Sequence, residues 1–226
     1  MLNLCKYFGN YFGFQSFRFI FALEFKIVMK DKIIQKATQM FLKLGFKSVT
    51  MDDIACEMCI SKKTIYKYFS NKEILIEEGT QKMQLEIKSK LKEIIEKNHN
   101  AIEENFVIRS MFNEMFKASE TSPVYQLKKH YPTTFEQIRQ NQIDIFREMF
   151  QNNIEKGIEQ NLYRKEIKIQ HYVKFYYELI FIINENTELE REIESLELEA
   201  LEYHIRAMAN ENGIAELEKQ LLIYTS

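Results

Sequence analysis

The chain has 226 residues, of which 46% are hydrophobic, 28% charged and 13% aromatic, a globular composition that excludes disordered, collagenous and membrane-spanning classes. Six Gly and two Pro are too few for sandwiches, barrels or open α/β sheets, so the fold class expected is all-α. The net charge of -2 hides an asymmetry: residues 29–76 carry nine Lys and five acids, whereas residues 77–226 carry 19 basic and 27 acidic side chains. A compact basic unit ahead of a large acidic one points to a polyanion partner for the first alone. Three Cys, an odd number, argue against a disulfide framework and fit a reducing, cytoplasmic compartment.

Residues 1–28 are rich in Phe and Tyr, with Arg18, Glu24 and Lys26 interrupting every apolar run. Neither an export signal nor a spanning helix fits that pattern. Three readings stay open: an upstream translation artefact with Met29 as the natural start, an extra helix packed on the first domain, or a peripheral membrane contact.

From Asp31 a helix is expected, with Ile33, Ile34, Ala37, Met40, Phe41 and Leu44 on one stripe and Gly45 at its end. Thr50 then caps a short helix with Asp52 and Asp53 in its first turn, ending near Cys59. Ser61 caps a third helix to about Phe69, and Asn71 a fourth from Lys72 to about Lys97. Further helices are expected at about 101–118, from Ser122-Pro123, from Pro132 to Gly157, at about 168–184 and 188–210, and beyond Gly213 to about Leu222.

On a helical wheel, Ile65 and Phe69 share one side of the third helix, while Lys63 and Lys67 lie about 160° and 200° away. Such a helix, anchored on one side and offering Lys, Thr and Tyr on the other, suits a DNA major groove. Charge alone would equally fit a solvated face. The order of parts, a striped helix, a capped short helix, a tight turn and a basic short helix, is that of the helix-turn-helix.

The run Thr50-Met51-Asp52-Asp53-Ile54-Ala55, followed by Ile60-Ser61-Lys62-Lys63-Thr64-Ile65-Tyr66-Lys67-Tyr68-Phe69 and Asn71-Lys72-Glu73-Ile74-Leu75, closely resembles the signature of the tetracycline-repressor (TetR) family over about residues 30–77. The resemblance implies a helix-turn-helix DNA-binding domain at 29–76 and a ligand-binding and dimerisation bundle at 77–226. It further implies a homodimeric transcriptional regulator, usually a repressor, that a small ligand releases from a palindromic operator. Carried over by position, Lys62, Lys63, Thr64, Tyr66, Lys67 and Tyr68 would contact groove and backbone, with Thr50, Ser61 and Lys72 on phosphates. Cys59 stands where the family usually has Gly, which implies a strain cost of about 1 kcal/mol.

No catalytic constellation, cofactor or metal site is expected. Cys56 and Cys59 form a C-x-x-C without a second ligand pair, and Glu96-x-x-His99 lacks the partner motif that a di-iron site needs. Among the aromatic and Met side chains of the second domain, Phe112, Met115, Phe116, Tyr125, Phe146 and Tyr177 are candidates to line a pocket for a small apolar or aromatic ligand. The helices at 168–184 and 188–210 carry more apolar surface than one bundle side needs, and in the resembled family this pair makes the dimer. The acidic run from Glu188 to Glu202 is expected to be a solvated face. The alternative is a helix-turn-helix protein without a small-molecule ligand, acting through protein partners.

Overall fold

A computed structural model describes the backbone of residues 5–224 and the side chains of residues 24–224. Ten helices and no strand are found among the described residues, with only isolated bridges at Thr121–Leu189 and Tyr163–Ala209. The all-α expectation holds.

Helix α1 spans Cys5–Leu44, so the helix expected to open at Asp31 starts much earlier. Nothing between Cys5 and Asp31 stops propagation: no Pro occurs there, and extending an existing helix costs far less than nucleating one. The aromatic side chains from Tyr7 to Phe21, on which the readings of residues 1–28 turn, lie outside the described residues. Phe25, Ile27 and Val28 are exposed, and the packed stripe begins with half-buried Met29. Gly45, at φ +90°, ends the helix in the left-handed conformation that glycine adopts without penalty.

α2 (Met51–Glu57), α3 (Lys62–Tyr68) and the first turns of α4 (Lys72–Ile95) close on the C-terminal half of α1. Their shared core contains Ile33, Ala37, Phe41, Ile54, Ile65 and Phe69, with Leu75 and Ile76 from α4. Later turns of α4 pack Ile87, Leu91 and Ile94 against Ile108 and Met149. One rigid rod therefore connects the N-terminal unit to the helices behind it.

Those helices are α5 (Ala101–Phe116), α6 (Pro123–His130), α7 (Pro132–Glu159), α8 (Ile169–Asn186), α9 (Glu190–Met208) and α10 (Glu211–Tyr224). Ser122 caps α6 with Pro123 in its first turn, and α8 and α9 form an antiparallel hairpin whose Tyr176 and His204 rings stack at 4.1 Å. Burial holds that His204 far below its ordinary range, at about 3, so its ring packs as a neutral aromatic. α10 starts ahead of Gly213 because Asn210 caps it, accepting the Gly213 N–H at 3.1 Å. Between α5 and α7, the buried Glu104 carboxylate accepts from Lys156 at 2.6 Å and from Asn153 at 2.7 Å, which compensates a charge that would be costly alone.

Gly157 on α7 faces the buried Tyr163 ring, and a Cβ there would fall 2.1 Å from the ring's Cδ2. Gly157→Ala is expected to destabilise the protein by about 1–3 kcal/mol through overpacking, read as a lower denaturant midpoint at unchanged slope.

The N-terminal unit and α6 are joined at one backbone position. The Phe46 N–H donates to Gln126 Oε1 at 2.8 Å, and the Tyr131 hydroxyl donates to the Phe46 carbonyl at 3.4 Å. Gln126 is buried and donates onward to the Thr121 carbonyl at 3.2 Å. Leu127 and Phe135 from α6 and α7 belong to the same core as α1–α3.

Candidate functional site

Three local devices fix the helix-turn-helix. At the start of α2, the Thr50 hydroxyl accepts the Asp53 N–H at 3.1 Å and donates to Asp53 Oδ2 at 2.7 Å, and Asp53 accepts the Thr50 N–H at 2.8 Å. These bonds, the side-chain one foremost, hold the Asp53 carboxyl below the usual carboxylate range. At the end of α2 the Ile60 N–H reaches the Ala55 carbonyl and the Cys59 N–H reaches that of Cys56, a pair of bonds typical of a left-handed helix stop. Cys59 sits at φ 53°, the strained conformation anticipated from its substitution for Gly. Cys59→Gly is expected to stabilise the fold by about 1 kcal/mol, seen as a raised melting temperature with duplex binding unchanged. Third, Ser61 caps α3 by accepting the Thr64 N–H at 3.0 Å.

With its ends fixed, α3 presents two unlike sides. Ile65 and Phe69 are fully buried, while Lys63, Tyr66 and Lys67 are exposed. Among the described residues, neither Lys63 nor Lys67 has an ion-pair partner, unlike Lys62, whose ammonium is 2.8 Å from Asp52. Thr64 is half-buried with its hydroxyl 2.8 Å from that of Ser61. The outer side thus offers two unneutralised ammonium groups, a phenol and the capped Ser61–Thr64 pair.

The remaining candidates sit differently. Tyr68 is half-buried against the N-terminal core, leaving only its edge outward. Lys72 points inward: its ammonium donates to the Lys47 carbonyl at 3.2 Å and lies 5.8 Å and 5.9 Å from the Phe41 and Tyr131 ring centres. Burial there lowers its pKa. A carbonyl and two aromatic faces hold this lysine as a brace between α1, α4 and the α6–α7 corner.

A second site is a cavity of about 190 Å³ lined by α4–α9. Phe112, Phe116 and Phe146 line it, as the sequence led us to expect. Met115, Tyr125 and Tyr177 do not. Met115 packs between α4, α5 and α7, Tyr125 takes a hydrogen bond from Lys129 at 3.3 Å, and Tyr177 is buried under Arg147. Phe150, Tyr176 and Phe181 complete the aromatic wall. Sequence reasoning missed the polar part: Arg109, Asn184, Glu190 and Glu197 also face the cavity. The solvated-face expectation fails for those two glutamates. Glu190, Ile193, Glu197 and Leu201 recur at spacings of three and four along α9, which puts the acids on the buried stripe. That spacing was the available signal. Burial raises both carboxyls, Glu190 to about 7.

Comparisons with known proteins place this geometry. The sequence profile described as "Bacterial regulatory proteins, tetR family" matches residues 33–78. Over 67 residues the chain is 39% identical to the uncharacterized HTH-type transcriptional regulator YhgD of Bacillus subtilis, and over 51 residues it is 39% identical to the biofilm operon icaADBC HTH-type negative transcriptional regulator IcaR of Staphylococcus aureus. The N-terminal unit is thus similar in sequence to the DNA-binding domain of TetR-family regulators. These matches cover 30% and 23% of the chain, and only 35% and 27% of the relatives' own lengths. For the rest, the likeness is one of fold. A TetR-family regulator from Marinobacter aquaeolei superposes with a TM-score of 0.63 at 16% identity, covering 84% of this chain and 98% of that one. A regulator from Saccharomonospora viridis solved in complex with choline gives 0.59 at 13% identity, over 81% and 98%. No helix among the described residues is long and apolar enough to cross a membrane.

Proposed function

We propose that this chain is a cytoplasmic, homodimeric TetR-family repressor. Its two α3 helices enter successive major grooves of a palindromic operator, roughly 34–36 Å apart. The observation that carries the DNA-binding part is the two-sidedness of α3. Ile65 and Phe69 anchor it, while Lys63 and Lys67 are exposed and have no ion-pair partner among the described residues. Lysines so placed donate to guanine acceptors or neutralise phosphates.

Dimerisation is supported by the outer face of the α8–α9 hairpin. Phe175 and Ile182 on α8, then Leu196 and Tyr203 on α9, are each seven residues apart and exposed, Phe175 at 63% and Tyr203 at 70%. Large apolar residues repeated on one face mark a protein–protein surface, and a two-fold pairing of these hairpins makes a four-helix bundle.

Release of DNA by a small apolar or aromatic ligand is supported by the double membership of α6. Leu127 lines the cavity and belongs to the core of the helix-turn-helix, and its neighbour Gln126 holds the Phe46 N–H. A ligand that displaces Leu127 would move α1 and α4 through that contact and change the separation of the two α3 helices. A regulator of similar fold solved in complex with choline supports small-molecule occupancy in this fold.

Selection of bound sequences from a random duplex pool by the purified protein tests the reading. An inverted repeat with half-sites about one helical turn apart is expected. Failure to enrich any sequence, or enrichment of a single unpaired half-site, would count against it.

A further inference from the structure

The cavity contains a charge that the protein does not match. The Glu190 Oε2 atom is buried and has no hydrogen-bond partner among the described residues. Arg109 and Arg139 also line the cavity, each with a buried Nε that has no hydrogen-bond partner among the described residues, but each guanidinium has another group close by. Arg109 donates to the Glu194 carbonyl at 2.6 Å and stands beside Glu197, whose carboxylate also accepts from Asn184 at 2.6 Å. Arg139 lies 3.2 Å from Glu185. The same cavity is lined by a run of rings: Phe112 lies 6.4 Å from both Phe116 and Phe146, and Phe146 lies 6.1 Å from Phe150 and 6.4 Å from Phe181.

Resting on the proposed ligand-responsive cavity, we infer that its ligand is a small lipophilic organic cation, a protonated amine whose nitrogen donates to Glu190 and whose apolar body lies among Phe112, Phe116, Phe146, Phe150 and Phe181. Three physical arguments converge. A buried carboxylate oxygen without a donor is costly, and an ammonium N–H supplies both the missing hydrogen bond and the opposite charge. Aromatic faces attract a cation most strongly when water is excluded. Burial, with the like charges of Glu197 and Glu194 beside it, pushes the Glu190 carboxyl up to about 7. An incoming positive charge relieves that arrangement. An anion would share the cavity with the Glu190 and Glu197 carboxyls, and the charge of Arg109 is already shared with the Glu194 carbonyl and Glu197.

The test uses the full-length protein, free of DNA, and three probes of one shape: 2-phenylethylammonium, its neutral isostere propylbenzene, and the anion 3-phenylpropanoate. Affinities are read by calorimetry at about pH 8, where Glu190 is ionised. The cation is expected to bind at least about tenfold more tightly than propylbenzene, and Glu190→Gln is expected to erase that preference while leaving propylbenzene binding unchanged. Equal binding of cation and neutral isostere, preference for the anion, no binding of any probe, or an unchanged preference in Glu190→Gln would each overturn the inference. Should the variant not fold, the ratio among the three probes on the parent protein decides. Duplex binding measured on the same preparation keeps this outcome separate from the regulator reading, because a protein that binds DNA yet shows no cation preference contradicts the ligand class alone.

Discussion

Replacing Lys63 or Lys67 by Ala is expected to weaken binding to the selected duplex by about 1–3 kcal/mol where the lysine reads a base, with no change in melting temperature. The effect is large because each ammonium is exposed and unpaired, so almost all of its interaction energy would be made in the complex. It leaves stability alone for the same reason, since no internal contact is lost. The salt dependence separates two modes. A lysine that only touches phosphate weakens all duplexes alike, and its removal lowers the salt slope by about one unit. Lys62→Ala provides the contrast: its charge is paired with Asp52, so a smaller loss is expected. Anisotropy titrations on specific and unrelated duplexes at two ionic strengths measure all three variants. A loss for Lys62→Ala equal to that for Lys63→Ala would mean that the Asp52 pairing does not persist on DNA.

Phe69→Ala is expected to act by the opposite route, destabilising the protein by about 3–5 kcal/mol. The ring is fully buried at the C-terminal end of α3, where the helix turns into Asn71 and α4, and the Lys30 ammonium lies 5.6 Å from its centre. Its removal leaves a cavity between α1, α3 and α4 that no neighbouring side chain fills without moving a helix. Duplex binding should fall in step with the unfolded fraction, and cooling should recover part of it. Denaturant melts beside titrations at two temperatures check this. A variant that keeps parental stability but loses DNA would contradict the role of Phe69 as anchor.

Much of the N-terminal unit was legible because its determinants are local. Thr50, Ser61, Asn71 and Ser122 each announce a helix start by a side-chain oxygen reaching a backbone N–H two or three residues on, an interaction that needs no tertiary knowledge. The two sides of α3 follow from angular spacing alone. The start of α1 was not legible, since the Asp31 signal marks where packing begins, whereas helix continuity depends only on the absence of a stop. The inward position of Lys72 was hidden for a related reason: it depends on Tyr131 and on the Lys47 carbonyl, which lie far away in sequence. Cavity membership was half legible. Helical spacing says that Phe146 and Tyr177 both turn inward, but not which meets a cavity and which meets a neighbouring side chain. Glu190 and Glu197 were hidden by their chemistry: acids on a charged helix read as solvated unless their register with Ile193 and Leu201 is followed.

The central claim is that two copies of α3, held by one dimer, occupy the same side of one duplex in successive major grooves. The most direct measurement is affinity for the selected duplex against the same duplex with five base pairs inserted between its half-sites, which turns the halves to opposite sides. The account predicts that affinity falls to that for an unrelated sequence. Undiminished binding to the lengthened duplex would contradict it.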